Sequence, residues 1–330
     1  MKVAINGLGR IGRLVLRNGL NLGLNFVAFN DLTDTKTLAY LIKYDSVYGK
    51  LDEKVEAGEG FIKIGSKKIP FFSEKNPEKL PWKKMGVDVV IESTGFFTDY
   101  EGAIKHIKAG AKKVVISAPS KNPDRTIVPG VNERDIKKSD KIYSMASCTT
   151  NGLAPVAKVL DEVYGIKKGF LTTIHAYTSS QKIVDGPDKK LRRGRAGAVN
   201  IVPTTSGATK AVAEVIPKLK GKIDGLAIRV PVPSGSIVDF VAELEKAPKD
   251  KKELNSVFKK AADGRLKGIL EYSEEELVST DIIGNTHSSI VDGLSTMVLG
   301  NTVKVLAWYD NEYGYSHRLA EFVKKLSKFI

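Results

Sequence analysis

Cys148 is the only cysteine in 330 residues, and it stands in Ala146-Ser147-Cys148-Thr149-Thr150-Asn151, where a predicted strand over 141–145 gives way to a predicted helix running to about Tyr164. A thiol is a weak nucleophile until it loses its proton. A helix N-terminus, with unpaired N–H groups and the positive end of the macrodipole, favours the thiolate. Free cysteine is more often a small buried apolar residue. Here the hydroxyls of Ser147, Thr149 and Thr150 and the amide of Asn151 are poor company for an apolar core and good company for an oxyanion or a phosphate. The segment reads as a reactive thiol.

A second chemical signal opens the chain. Gly7-Leu8-Gly9-Arg10-Ile11-Gly12 follows a predicted strand and begins a predicted helix. Glycines at this spacing allow a tight turn, close approach of backbone to a pyrophosphate and close helix-to-strand packing, with the phosphates resting on the helix N-terminus. Asp31 ends the second predicted strand, about 20 residues on, where an acidic side chain accepts hydrogen bonds from ribose hydroxyls and repels a 2′-phosphate. The expected cofactor is NAD rather than NADP.

The elements that must position these groups alternate in the first half. Strands are predicted at 2–6, 25–30, 87–92 and 113–117, with helices at 11–22, 35–43 and 99–109, the last opened by a capping box from Thr98 to Glu101. This is an α/β pattern, a Rossmann-type doubly wound parallel sheet with helices on both faces. Longer alternating strands at 170–177, 225–230, 237–244 and 304–309 predict a second, α+β domain with a mainly antiparallel sheet. Leu319, Phe322, Val323 and Leu326 form an i, i+3, i+4, i+7 stripe on a C-terminal helix that must dock. No repeat or flexible linker interrupts the chain, so the expected boundary near Ser147 is tight and places Cys148 at a junction.

Composition narrows the class. An apolar content of 42% builds ordinary cores, and a lone cysteine excludes an intrachain disulfide. The first strand begins at Lys2, which leaves no cleavable signal, and no apolar run is long enough for a membrane span. A cytoplasmic protein without membrane attachment is expected. The net charge of +14 attracts anions without naming them. The densest cluster, Lys189-Lys190-Leu191-Arg192-Arg193-Gly194-Arg195, lacks alternating aromatic residues and reads as a solvated loop rather than a nucleic-acid patch. Nucleic acid or another polyanion is expected at most as a secondary partner.

These segments resemble the phosphorylating NAD-dependent glyceraldehyde-3-phosphate dehydrogenase family over essentially the whole length. The resemblance is carried by Ile5 to Arg13, Glu92-Ser93-Thr94-Gly95, Ala146 to Leu153, His175-Ala176-Tyr177-Thr178, Leu191 to Arg195, and Trp308-Tyr309-Asp310-Asn311-Glu312. It implies an NAD-binding domain over 1–147, a catalytic domain over 148–310, and a C-terminal helix within 311–330 returning to the first domain. It also implies a homotetramer, with the basic segment 177–200 as an S-shaped loop at a subunit interface. That replaces the nucleic-acid reading of Arg192, Arg193 and Arg195.

The implied reaction converts D-glyceraldehyde 3-phosphate and inorganic phosphate to 1,3-bisphosphoglycerate with reduction of NAD, and needs no metal. Cys148 would form a hemithioacetal and then a thioester, and His175 would pair with the thiol and take the hydroxyl proton. The resemblance assigns Ser147, Thr149, Thr178, Ser206, Gly207 and Arg229 to the two phosphates. It gives Gly7, Gly9, Arg10, Ile11, Gly12, Asp31 and Ser117 to the cofactor, and Asn311 to its nicotinamide carboxamide. His106, His287 and His317 read as structural. Ser206 stands where the family usually has threonine, and Gly152 where many members carry a second cysteine. Erythrose-4-phosphate dehydrogenase, which releases an acid by water attack, is the alternative that the sequence leaves open.

Overall fold

Val3 to Ile5, Val89 to Ile91 and Val114 to Ile116 are buried on both faces of their strands, as strands covered by helices on two sides must be. The computed structural model describes residues 1–330. The chain divides into two compact units. One comprises Met1–Ile127, Arg134–Ala146 and Ser316–Ile330, and the other Val128–Glu133 with Ser147–Tyr315.

In the first unit the strands run, in order across the sheet, Arg125–Thr126, Ile142–Ser144, Lys113–Ile116, Val89–Glu92, Lys2–Asn6, Asn25–Asn30, Lys67–Phe72, Phe61–Ile64 and Val55–Gly58. Strands Arg125–Thr126 to Lys67–Phe72 pair in parallel. The last two extend the sheet as an antiparallel meander through two-residue turns at Glu59-Gly60 and Gly65-Ser66, which alternation of strands and helices could not reveal. Strand order reverses beside Lys2–Asn6, the switch point at which sheets of this type hold ligands beyond their strand ends. The helix expected from Thr98 starts one residue later. Asp99 caps Tyr100–Lys108 by accepting the Gly102 N–H at 2.8 Å, because a carboxylate makes the stronger, charge-assisted bond.

The helix Tyr313–Lys325 and the turn that continues it bury Leu319, Phe322, Val323 and Leu326 completely, each contributing roughly 1.5–3 kcal/mol. Phe322 meets Tyr143 edge-on with ring centroids 5.5 Å apart. His317 bonds to Asn18 at 3.0 Å, so this segment is fastened to the first helix as well.

The second unit is built on a sheet ordered Val202–Thr205, Ile223–Val230, Ile166–Ala176, Ser236–Leu244, Thr302–Tyr309, Ser289–Asp292 and Leu270–Ser273, with Met297–Leu299 pairing Thr302–Tyr309. It is mainly antiparallel. Two neighbouring pairs are parallel, Ile166–Ala176 with Ile223–Val230 and Leu270–Ser273 with Ser289–Asp292. The first of these pairs sets His175 beside Arg229.

Candidate active site

The chain reaches Cys148 through a strained turn. Ala146 has φ 53, a left-handed conformation that costs a residue with a Cβ about 1 kcal/mol, and its N–H is tied to Ser144 Oγ at 3.0 Å. Ser147 is the N-cap of Cys148–Tyr164, its Oγ accepting the Thr150 N–H at 3.0 Å. A cap of this kind stabilises a helix by about 1 kcal/mol, and it makes Cys148 the first helical residue. The thiol is half-buried. Thr149 is buried, with Oγ1 bonded to Tyr309 Oη at 2.9 Å. Ser147 Oγ also meets Thr150 Oγ1 at 2.8 Å, so both hydroxyls are already engaged within the unit, and the N–H groups at the helix start lie beside them.

Strand register places His175. In the parallel pair of Ile166–Ala176 with Ile223–Val230, His175 lies directly beside Arg229. His175 Nε2 is 3.3 Å from Cys148 Sγ, and its Nδ1 is 2.7 Å from the carbonyl oxygen of Ala176. Arg229 Nη1 donates to the same carbonyl at 2.9 Å. A carbonyl oxygen has two lone pairs and can accept both N–H groups. In the tautomer that donates Nδ1–H to this carbonyl, Nε2 faces the thiol as an acceptor.

Burial, with Arg229 and then Arg193 adding to it, pushes His175 down to about 3, so the ring is neutral. Burial pushes the Cys148 thiol up, while the Arg229 guanidinium and the Thr149 N–H pull it back. The helix N-terminus alone had predicted a lowered thiol. Loss of water around the sulfur outweighs it, because a thiolate loses far more solvation than a thiol does. The resting pair is a thiol facing a neutral imidazole, and the proton moves when the sulfur attacks.

Arg229 carries a further sign of anion binding: its Nε is buried with no partner. Ser206 Oγ accepts the Ala208 N–H at 3.2 Å and Gly207 caps the helix Ala208–Val215, which packs on the Cys148 helix. Thr178 is half-buried and shares a hydrogen with Ser180 at 2.8 Å. Two contributors escaped the sequence. Tyr309 Oη sits between Thr149 and Thr173, at 2.9 and 2.8 Å, and its ring meets His175 edge-on. Arg193, read as an interface residue, lies close enough to depress both His175 and Arg229 while its Nε donates to Thr204. Its only signal was membership of the basic cluster.

Asn311 is buried after the strand Thr302–Tyr309, and its Oδ1 accepts from Ser236. The other cofactor candidates gather at the carboxyl ends of the first unit's strands. A cavity of about 490 Å³ is lined by Gly7, Gly9, Asp31, Leu32, Thr94 and Phe96 among others. The glycines fit a dinucleotide. A Cβ on Gly7 would lie 2.6 Å from Thr94 N and one on Gly12 2.0 Å from Gly7 O, whereas at Gly9 nothing comes within 4 Å, leaving bare backbone for a phosphate to approach. Asp31 accepts the N–H groups of Leu8 at 2.7 Å and Thr33 at 2.9 Å, which leaves lone pairs for ribose hydroxyls. Arg10 is committed to Asp45 at 2.5 Å, so Arg10 and Ile11 offer backbone N–H groups. Ser117 follows the strand Lys113–Ile116, its N–H bonded to Glu92 O.

Beneath this cavity runs a buried polar chain that sequence reading missed. Glu92 accepts from Asn6 Nδ2 at 2.6 Å, His106 Nε2 at 3.0 Å, Thr94 N at 2.8 Å and Thr94 Oγ1. Trp82 donates to His106 Nδ1 at 2.9 Å, and Asn30 Nδ2 to Asn6 Oδ1 at 2.6 Å. Asn6, Asn30 and Glu92 are each the last residue of a neighbouring strand. His287 pairs with Glu271 and His317 with Glu321, so neither faces the nucleophile. No group of histidine, cysteine and carboxylate side chains is placed to hold a metal, and no helix is long and apolar enough to cross a membrane.

Comparison with known proteins agrees with this geometry. Residues 1–100 match the family model for the glyceraldehyde 3-phosphate dehydrogenase NAD binding domain, and residues 147–311 match that for the C-terminal domain. Glyceraldehyde-3-phosphate dehydrogenase of Borreliella burgdorferi is 54% identical over 99% of this chain and 100% of its own. That of Geobacillus stearothermophilus is 56% identical over 97% and 96%. Glyceraldehyde-3-phosphate dehydrogenase 1 of Bacillus subtilis is 53% identical over 99% and 98%.

Proposed function

The chain belongs to the glyceraldehyde 3-phosphate dehydrogenase family of NAD-dependent glycolytic oxidoreductases, and on that premise we propose which of its residues perform the reaction. The observation that carries the reading is the Cys148–His175 contact of 3.3 Å, with Arg229 seated beside it by strand register.

Cys148 Sγ bonds to the aldehyde carbon of glyceraldehyde 3-phosphate. The thiol proton passes to His175 Nε2 and on to the carbonyl oxygen, giving a hemithioacetal. NAD, when bound, supplies the acceptor for the hydride that leaves this carbon. His175 Nε2 takes the hydroxyl proton as the carbonyl re-forms, leaving a thioester. Inorganic phosphate, losing its proton to water, displaces the sulfur and leaves as the acyl phosphate, and the departing Cys148 takes back the proton held on His175 Nε2. Arg229 binds phosphate through Nε and its remaining N–H groups, since a guanidinium matches phosphate oxygens bidentately. Arg193, Thr178 and the Ser206-Gly207 helix start supply further donors, as do the N–H groups that follow Ser147. Gly7 to Gly12, Asp31 and Ser117 hold the dinucleotide, and Asn311 its carboxamide.

The enzyme acts as a cytoplasmic homotetramer. What supports an assembly is the segment 177–200 and its flank, where Ile183 is 90% and Leu191 86% exposed, with Val199 and Ile201 also bare. Several bare apolar side chains within one segment favour a protein interface there.

An absorbance assay for reduced cofactor tests the whole scheme. Turnover of glyceraldehyde 3-phosphate with NAD should require inorganic phosphate and fall by at least about 10³-fold in Cys148→Ser. Phosphate-independent turnover, or faster reaction with erythrose 4-phosphate, would reassign the enzyme.

A further inference from the structure

The hydroxyl of Ser236 lies between the base and the residue that meets the nicotinamide. It accepts the N–H of Ala176, the residue after His175, at 3.1 Å, and donates to Asn311 Oδ1 at 2.8 Å. Ser236 is 1% exposed and Asn311 3%. Sheet register makes the reach possible: Ser236 opens the strand Ser236–Leu244 directly opposite Tyr309, two residues before Asn311.

A serine hydroxyl has one proton and two lone pairs. Here a backbone N–H that cannot move occupies a lone pair, and the proton is directed at Asn311. An asparagine side chain, in contrast, is ambiguous. Its amide presents an acceptor or a donor according to which end is held, and a half-turn exchanges them. Because Oδ1 is held by Ser236, the end left to face a ligand is Nδ2, a donor. A carboxamide oxygen is what such a donor recognises.

We propose that Ser236 is a positioning residue for the cofactor: its hydroxyl fixes the rotamer of the Asn311 amide and, through Ala176, registers it to the strand that carries His175. The inference rests on the reading of Asn311 as the nicotinamide contact. Alanine at 236 leaves a buried N–H without an acceptor and lets the amide turn. The loss falls on the nicotinamide half of the cofactor alone, since the adenosine half is held by Asp31 and the glycine loop.

Calorimetric dissociation constants for NAD and for ADP-ribose, which lacks the nicotinamide, test this without any turnover. Ser236→Ala should weaken NAD about tenfold, the scale of one buried hydrogen bond, and leave ADP-ribose unchanged. Ser236→Thr, which keeps the hydroxyl, should restore NAD binding. Asn311→Ala should give the same pattern, and the double variant should bind NAD no more weakly than Asn311→Ala alone, because two residues acting through one contact are not additive. Equal weakening of both ligands by Ser236→Ala would mean a structural role only and overturn the proposal, as would additive losses in the double variant. Should Asn311→Ala leave NAD affinity intact, the nicotinamide assignment itself fails and takes the proposal with it. A silent Ser236→Ala beside a damaging Asn311→Ala would sink the proposal alone.

Discussion

Arg229 Nη1 lies 2.6 Å from His175 Nδ1, and both nitrogens also reach the carbonyl of Ala176, at 2.9 and 2.7 Å. The guanidinium cannot surrender its proton, so its charge helps to keep the imidazole beside the thiol neutral. The same cation favours a negative sulfur. Arg229→Leu should therefore raise both the His175 and the Cys148 pKa and move alkylation of the thiol by iodoacetamide to higher pH. KM for triose phosphate and for inorganic phosphate should rise by about tenfold or more, as loss of a charged hydrogen bond requires. NAD affinity should hold. An equal loss of NAD binding, or an alkylation profile that moves down, would count against the assignment.

Acid stability follows from the same histidine. Its pKa falls from the ordinary 6.5 to about 3 in the folded protein. Between those values the unfolded chain binds a proton that the folded chain refuses, so stability rises with pH through this window, and the loss is complete once the pH is below the folded value. Each unit crossed is worth roughly 1.4 kcal/mol at most. Urea unfolding of the parent and of His175→Asn, followed from about pH 7 to about pH 4, should show the flatter curve for the variant. A parent curve no steeper than the variant's would refute a buried neutral His175.

Asp31 has two tasks in the structure, tying the N–H groups of Leu8 and Thr33 and facing the cavity with its remaining lone pairs. Asp31→Gly removes the charge that opposes a 2′-phosphate. The ratio of kcat/KM for NAD to that for NADP should drop by about tenfold or more, the worth of one charged hydrogen bond. Discrimination that stays put in steady-state assays with the two cofactors would remove Asp31 from specificity.

How much of this could be read beforehand depended on distance along the chain. The glycine loop, Asp31 and Cys148 announce themselves because turn geometry, helix start and strand end are local properties. Thr35–Lys43 and the helix beginning at Cys148 fall where periodicity put them. The Arg229–His175 contact, the Tyr309 hydroxyl and the Ser236 bridge join residues tens of positions apart, and only sheet register decides which of them meet. Arg193 was visible as a charge but not as a neighbour of the base. The lowered thiol expected at a helix start failed for the same reason, since burial is a property of the packed unit and not of the motif.

Oxidation gives a further check on the nucleophile. Cys148 is the sole cysteine, and the position one helical turn on is Gly152, where an added Cβ would come within 3.1 Å of the Tyr309 ring. A sulfenic acid formed by hydrogen peroxide has no thiol of its own chain to condense with, so it persists, goes on to higher acids or is captured by a small thiol. Mass spectrometry after mild peroxide treatment should find oxygen adducts or, with glutathione present, a mixed disulfide on Cys148. An unmodified Cys148 under conditions that abolish activity would contradict it.

Asn6, Asn30 and Glu92 close their strands with side chains bonded to one another rather than to solvent. The floor of the dinucleotide cavity is thus an outgrowth of the sheet itself. Breathing motions open proteins where few bonds and little apolar surface must part, and here the ends of adjacent central strands would have to separate together. The binding seat is consequently tied to the parallel core of its domain, and opening it requires those strand ends to part.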